Sequence, residues 1–186
     1  MGTRHLIGVI TGGRYKVAQY GQWDGYIKGG QGEAVLEFLR TVDLYIFKEK
    51  IKNCYFVLDN EIREMYVSVG DSPDNHSGFV SHEIAEALKQ KYPSMSRDTG
   101  AKILNIIYDS DDKIPLVESK SFLTDSTFCE FAYVINLDKN FLICYANGKK
   151  EYARYELNNL PSVEKMEDDY NNFFNIEKEW FSWRKF

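Results

Sequence analysis

Period-two alternation stands at both ends of this chain, with helical spacing between, and that arrangement restricts the fold most. Residues 4–10 (RHLIGVI) are mostly apolar. Residues 14–20 (RYKVAQY) alternate, with Tyr15, Val17 and Gln19 on one side and Lys16, Ala18 and Tyr20 on the other. Thr11-Gly12-Gly13 separates the two runs, which therefore read as a β-hairpin. Residues 128–137 (FCEFAYVINL), 141–146 (FLICYA) and 150–157 (KEYARYEL) are strand-like in turn. Asp138-Lys139-Asn140 and Asn147-Gly148 join them, the latter being the strongest short hairpin signal present. Strands at the ends with helices between predict α+β, not repeated βαβ units. The simplest arrangement is a single antiparallel sheet from the N-terminal hairpin and the C-terminal three-strand meander, with the helices of the middle of the chain packed on one face.

The middle supplies those helices. Val35, Phe38, Leu39 and Val42 recur at helical spacing, and Glu33 suits the first turn of a helix over about 33–41. Leu44, Phe47 and Ile51 mark a second over 43–53. Residues 54–58 (CYFVL) fit helix or strand. Asp59 or Asn60 caps a helix through Tyr66. A polar connection, 72–78, precedes a helix over 79–91, with Ile84, Ala87 and Leu88 inward and Pro93 ending it. Thr99 caps a largely buried helix over 100–108. The acidic run 109–112 lacks the glycine and closing glutamate of a calcium loop and reads as a solvated helix end. Pro161 opens a final helix with Val163, Met166, Tyr170 and Phe173 or Phe174 on one face. The aromatic tail (Trp180, Phe181, Trp183, Phe186) is expected to dock on the body. All of 1–186 reads as one domain, with a helical section over about 33–110 and the C-terminal helix and tail over about 161–186.

Composition sets outer bounds. At 186 residues and 44% apolar content the chain can bury a genuine core. The net charge of −5 carries no basic footprint, so direct nucleic-acid binding is not expected. Cys54, Cys129 and Cys144 are odd in number and widely spaced, which argues for buried free thiols over zinc or disulfides. No signal peptide or membrane-spanning run is evident, so a cytoplasmic protein is expected. No metal or cofactor is called for. His76 and His82 lack the spacing of a metal-binding helix, and no nucleophile elbow occurs. His5, alone in a strand, reads first as a core or edge residue.

The junction between the opening hairpin and the first helix is the place where function concentrates. Gln19-Tyr20-Gly21-Gln22-Trp23-Asp24-Gly25-Tyr26 runs on into Ile27-Lys28-Gly29-Gly30-Gln31-Gly32. Aromatic residues, amides, one carboxylate and five glycines meet there. Such a loop is expected to offer backbone N–H groups and aromatic faces to a guest. Read structurally, Trp23 and Tyr26 plug the end of a small core and Asp24-Gly25 is an ordinary turn. The glycines match neither a P-loop nor the dinucleotide fingerprint. The residues assigned to binding are Gln19, Gln22, Trp23, Asp24, Tyr26 and Gln31, with Arg4 and His5 from the strand alongside.

MGTRHLIGVI, YKVAQYGQWDGY and the later FAYVINLDKNFLICYANG with YELNNLPSVEKM resemble a family of small proteins from bacteria, their phages and some fungi. The tighter element is Thr3-Arg4 followed about twenty residues later by Trp23-Asp24-Gly25-Tyr26, which resembles a group of phage proteins. That family pattern often places Pro after the Tyr; here Ile27 stands there. The resemblance brings no activity with it. Its phage association implies stoichiometric binding to host defence machinery in the host cytosol, in the manner of an anti-CRISPR inhibitor of a defence nuclease.

The leading expectation is a non-enzymatic binding protein with a protein partner. One alternative is an N-terminal-nucleophile amidohydrolase, with Thr3 as nucleophile once freed and Asp24 orienting the site. Another is a small-ligand protein that stacks a nucleotide ring on Trp23 and Tyr26.

Overall fold

The computed structural model describes residues 2–75 and 79–183, with side chains through Asn175. The expected hairpin forms from β1 (His5–Thr11) and β2 (Arg14–Gly21). Gly12 and Gly13 turn it with φ of 63° and 72°. Both donate their N–H to the Asp138 carboxylate, at 3.0 and 2.9 Å. Those donors, Gly13 first, hold the Asp138 carboxyl below its ordinary range. Helices α1 (Gln31–Thr41) and α2 (Leu44–Lys50) follow. Then come β3 (Cys54–Phe56), α3 (Asp59–Val67), α4 (His82–Lys91), α5 (Lys102–Asp109) and β4 (Ile114–Leu116). The meander is β5 (Phe131–Asn136), β6 (Phe141–Ala146) and β7 (Lys150–Glu156), and α6 (Val163–Trp183) closes the described chain.

The fold is α+β, built on a five-stranded sheet in the order β2-β1-β5-β6-β7. Within each hairpin the strands are antiparallel. The junction between hairpin and meander is parallel, with Ile7 opposite Tyr133 and Val9 opposite Ile135. A purely antiparallel sheet is thus corrected at one pairing. The reason is that β2 has already returned the chain to the end where β1 begins, with Gly21 opposite His5, and β5 starts at that same end beside β1 instead of β2, with Phe131 opposite His5. A second, two-stranded parallel sheet pairs Cys54 with Ile114 and Phe56 with Leu116.

The strict alternation expected of β2 fails at one point. Val9 faces Val17 and Ile10 faces Tyr15, so Lys16 is an extra residue in a β-bulge. Tyr15 therefore packs on the opposite face from Val17. On the helical face lie Ile7, Val9, Val17, Tyr133, Ile135, Leu142 and Cys144. They meet Leu36 and Phe38 of α1, Phe47 of α2, Ile103, Leu104 and Ile107 of α5, and Met166 of α6. On the other face, Leu6, Ala132, Val134, Ile143 and Tyr145 are closed over by Phe122 and Leu123 of a 3₁₀ turn, Lys120–Thr124.

Three helix starts differ from expectation. Leu58, not Asp59 or Asn60, precedes α3, and the Glu61 carboxylate accepts the Leu58 N–H at 2.7 Å. Thr99 does not cap α5; its hydroxyl donates to the Pro93 carbonyl at 2.5 Å, and Ala101 stands at the cap. Pro161 lies just outside α6, whose first turn is received by Ser162: its Oγ takes the Lys165 N–H and its carbonyl the Met166 N–H, both at 3.1 Å. The exposed end of α5 is the expected acidic one, with Asp111 paired to Lys50 at 2.5 Å. The three cysteines are free and buried. Burial pushes the Cys54 and Cys129 thiols up to about 12 and raises Cys144 as well. Among the described residues no helix is long and apolar enough to cross a membrane. His76 and the side chains of the aromatic tail lie outside the described residues.

Candidate functional site

The junction crosses the end of the sheet where β1 begins and β2 stops. Gly21 pairs with His5 there, and a Cβ at Gly21 would come 2.1 Å from the imidazole. Only glycine admits the ring. His5 is 1% exposed, and among the described residues neither ring nitrogen has a hydrogen-bond partner. Burial pulls its pKa down to about 4, against the smaller opposing pull of the Thr3 backbone and the Asp24 charge. Gln19 is also inside, at 3% exposure, with Nε2 donating to the Ser96 carbonyl at 3.0 Å. Both residues, expected to contact a guest, are instead buried at the end of the sheet.

The loop is locked by its own backbone. Gly25 donates to the Thr3 carbonyl at 2.9 Å, and Gln31 to the Asp24 carbonyl at 2.8 Å. Gly32 donates to Tyr26 at 3.2 Å and Gly29 to the Glu33 carboxylate at 2.5 Å. The buried Tyr133 hydroxyl donates to the Gly25 carbonyl at 2.8 Å. A Cβ at Gly30 would lie 2.3 Å from the Tyr26 carbonyl, and one at Gly32 would lie 2.8 Å from the Tyr133 hydroxyl oxygen. These glycines serve close packing. The expectation that their N–H groups face a guest is corrected, because these donors are taken up within the fold.

What faces outward is side chain. Trp23 is 48% and Tyr26 41% exposed, and Asp24 between them is exposed too. The Trp23 indole N–H donates to Asp98 Oδ1 at 3.1 Å, which fixes the ring. The Tyr26 hydroxyl donates to Asp24 Oδ1 at 3.2 Å, and that bond raises the phenol pKa, with the Asp24 charge adding to it. Asp24 has φ of 57°, in the left-handed region, a conformation that costs a non-glycine residue of order 1 kcal/mol. Gln22 donates its N–H to the Arg97 carbonyl at 3.0 Å and accepts from the Tyr20 hydroxyl. Gln31 acts as a strap: Nε2 reaches the Trp23 carbonyl at 3.4 Å and Oε1 receives the Ala101 N–H at 2.6 Å.

Arg4 extends this surface across the sheet end. Its guanidinium lies 4.5 Å over the Phe128 ring and its Nε is 3.5 Å from Glu130. Gly2 backs onto Trp23, since a Cβ there would lie 2.5 Å from indole Cε3. Trp23, residues 2–4 and Phe128 thus form one stripe. The sequence pattern predicts a strand from residue 128, but Phe128, 48% exposed, lies outside β5. Instead the Asp125 carboxylate takes the N–H groups of Thr127 and Phe128, both at 2.9 Å, which turns the chain before β5 starts. That Asp-Ser-Thr turn was the signal available.

Thr3 sits beside the loop, joined to Gly25 through its carbonyl. An open depression of about 370 Å³ adjoins the junction through Tyr20 and is otherwise lined by Glu118, Ser119, Ser121, Phe122 and Asp125. Among the described residues no group of three or more His, Cys, Asp or Glu is placed to hold a metal ion. No family model matches the chain, and no curated protein or solved structure matches it.

Proposed function

We propose that this chain is a non-enzymatic binding protein that meets a protein partner through the sheet end carrying Trp23, Asp24, Tyr26 and Phe128. The observation that supports this is the contrast within the loop. Its backbone is pinned against the sheet, while its two large aromatic side chains stand outward. A rigid support lowers the ordering cost of association, and Trp and Tyr are the side chains that most often dominate binding energy. The loop packs directly onto the sheet, with no room for a Cβ at Gly25, Gly30 or Gly32, and this close support suits a protein contact better than an enclosed substrate. The motif resemblance directs the choice of partner to a nuclease of bacterial defence, held stoichiometrically by a phage-type inhibitor.

The test is co-purification from a bacterial host with the wild-type chain and Trp23→Ala, followed by titration of the captured protein. Retention by the wild type, saturation at a fixed ratio and loss with Trp23→Ala at an unchanged melting temperature are expected. Equal retention by both forms would overturn the assignment. The N-terminal-nucleophile alternative requires active material whose intact mass begins at Thr3. The small-ligand alternative requires a nucleotide-dependent rise in melting temperature that Trp23→Ala removes.

A further inference from the structure

We propose that the group received at this surface is a cationic side chain of the partner protein, arginine above all, stacked on Trp23 and Tyr26 with Asp24 as its counter-charge. This rests on the binding reading above and names the chemistry of its guest. The carboxylates around Asp24 have cations of their own: Asp98 pairs with Lys89 at 3.4 Å, and Glu130 with Arg4 at 3.5 Å. Asp24 is exposed and has no ion pair among the described residues. Its Oδ1 takes the Tyr26 hydroxyl, and Oδ2 has no hydrogen bond among the described residues.

Ring chemistry complements the charge. The indole N–H of Trp23 is occupied by Asp98 and Gly2 packs at Cε3, so what the half-exposed ring offers a guest is its remaining apolar π surface. A cation over Trp or Tyr is attracted by the ring quadrupole, and a guanidinium can stack there while forking onto a carboxylate. The chain already contains this arrangement in closed form. At the same sheet end, Arg4 lies over Phe128 and beside Glu130. Trp23, Asp24 and Tyr26 present the same two chemistries without an internal cation among the described residues. The net charge of −5 favours the approach of a basic surface.

The indole N–H resonance of Trp23, assigned through its loss in Trp23→Phe, reports binding directly. The intact chain is titrated with a peptide of alternating Arg and Gly, a Lys-Gly peptide and a Glu-Gly peptide. The Arg peptide is expected to shift the resonance most, the Lys peptide less and the Glu peptide not at all. Asp24→Asn keeps an acceptor for Tyr26 and tolerates positive φ; it should weaken the Arg peptide about fivefold, the scale of one exposed ion pair. Glu156→Gln, which removes the same charge at the far end of the sheet, should leave binding unchanged. No shift with the Arg peptide, or equal weakening by Asp24→Asn and Glu156→Gln, overturns the proposal. If a captured partner is lost with Trp23→Ala but kept with Asp24→Asn, the cationic guest is wrong and the surface stands. If Trp23→Ala keeps the partner, the surface itself is wrong.

Discussion

His5 makes the fold sensitive to mildly acid conditions. Its folded pKa of about 4 lies below the ordinary 6.5, so the folded state binds its proton less readily than the unfolded chain. Stability is full above pH 6.5, falls as pH drops from 6.5 towards 4, and levels off below. The shift corresponds to about 3 kcal/mol at most. Melting temperatures of the wild type should fall across that window, and those of His5→Phe should stay nearly flat; a wild-type profile as flat as the variant's would contradict this. The carboxyls held below their usual range by hydrogen bonds and lysine or arginine partners, such as Asp71 and Asp138, lose their contribution at lower pH still, as they become protonated. Which residues would cluster was legible in the sequence, since Trp23, Asp24 and Tyr26 adjoin one another. Which of them would face solvent was not. Burial of His5 and Gln19 depends on what covers the sheet, and the Ser96 carbonyl that receives Gln19 comes from a distant segment.

At the scale of elements, the elements whose determinants are local were the ones legible from pattern. The hairpin turns, α1 and the apolar face of α6 carry their own signals in turn residues and spacing. β4 does not: Ile-Pro-Leu is three residues long and exists as a strand through pairing with β3. The start of α5 is likewise hidden, because its cap donor is received by Gln31, seventy positions earlier. That strap makes α5 and the presented loop one unit. Gln31→Ala should cost about 1–2 kcal/mol, the scale of a half-buried hydrogen bond left unmade. It should also raise amide exchange at residues 22–26 and 101 together. Faster exchange at only one of the two segments would show that Gln31 does not couple them.

For the molecule as a whole, the decisive pairing is the parallel one between β1 and β5. It was not readable from either strand alone, since both patterns suit a parallel or an antiparallel neighbour. Its consequence is that the N-terminal hairpin has no sheet to join until residue 131 is available. A two-stranded hairpin is marginal by itself, and contacts this remote in sequence form slowly. A fragment of residues 1–128 should therefore show no cooperative thermal transition, whereas the full chain melts in one step; a sharp melt of the fragment would refute the dependence.

The three shielded thiols offer a built-in clock for these openings. A sulfhydryl whose ionisation is suppressed by burial reacts with an alkylating reagent chiefly when the surrounding structure parts. Cys54 sits in the small parallel sheet, Cys129 beside the Arg4–Phe128 stripe and Cys144 in the middle of the large sheet. Mass spectrometry of alkylated peptides would then time three regions of one molecule separately, with no probe engineered into it.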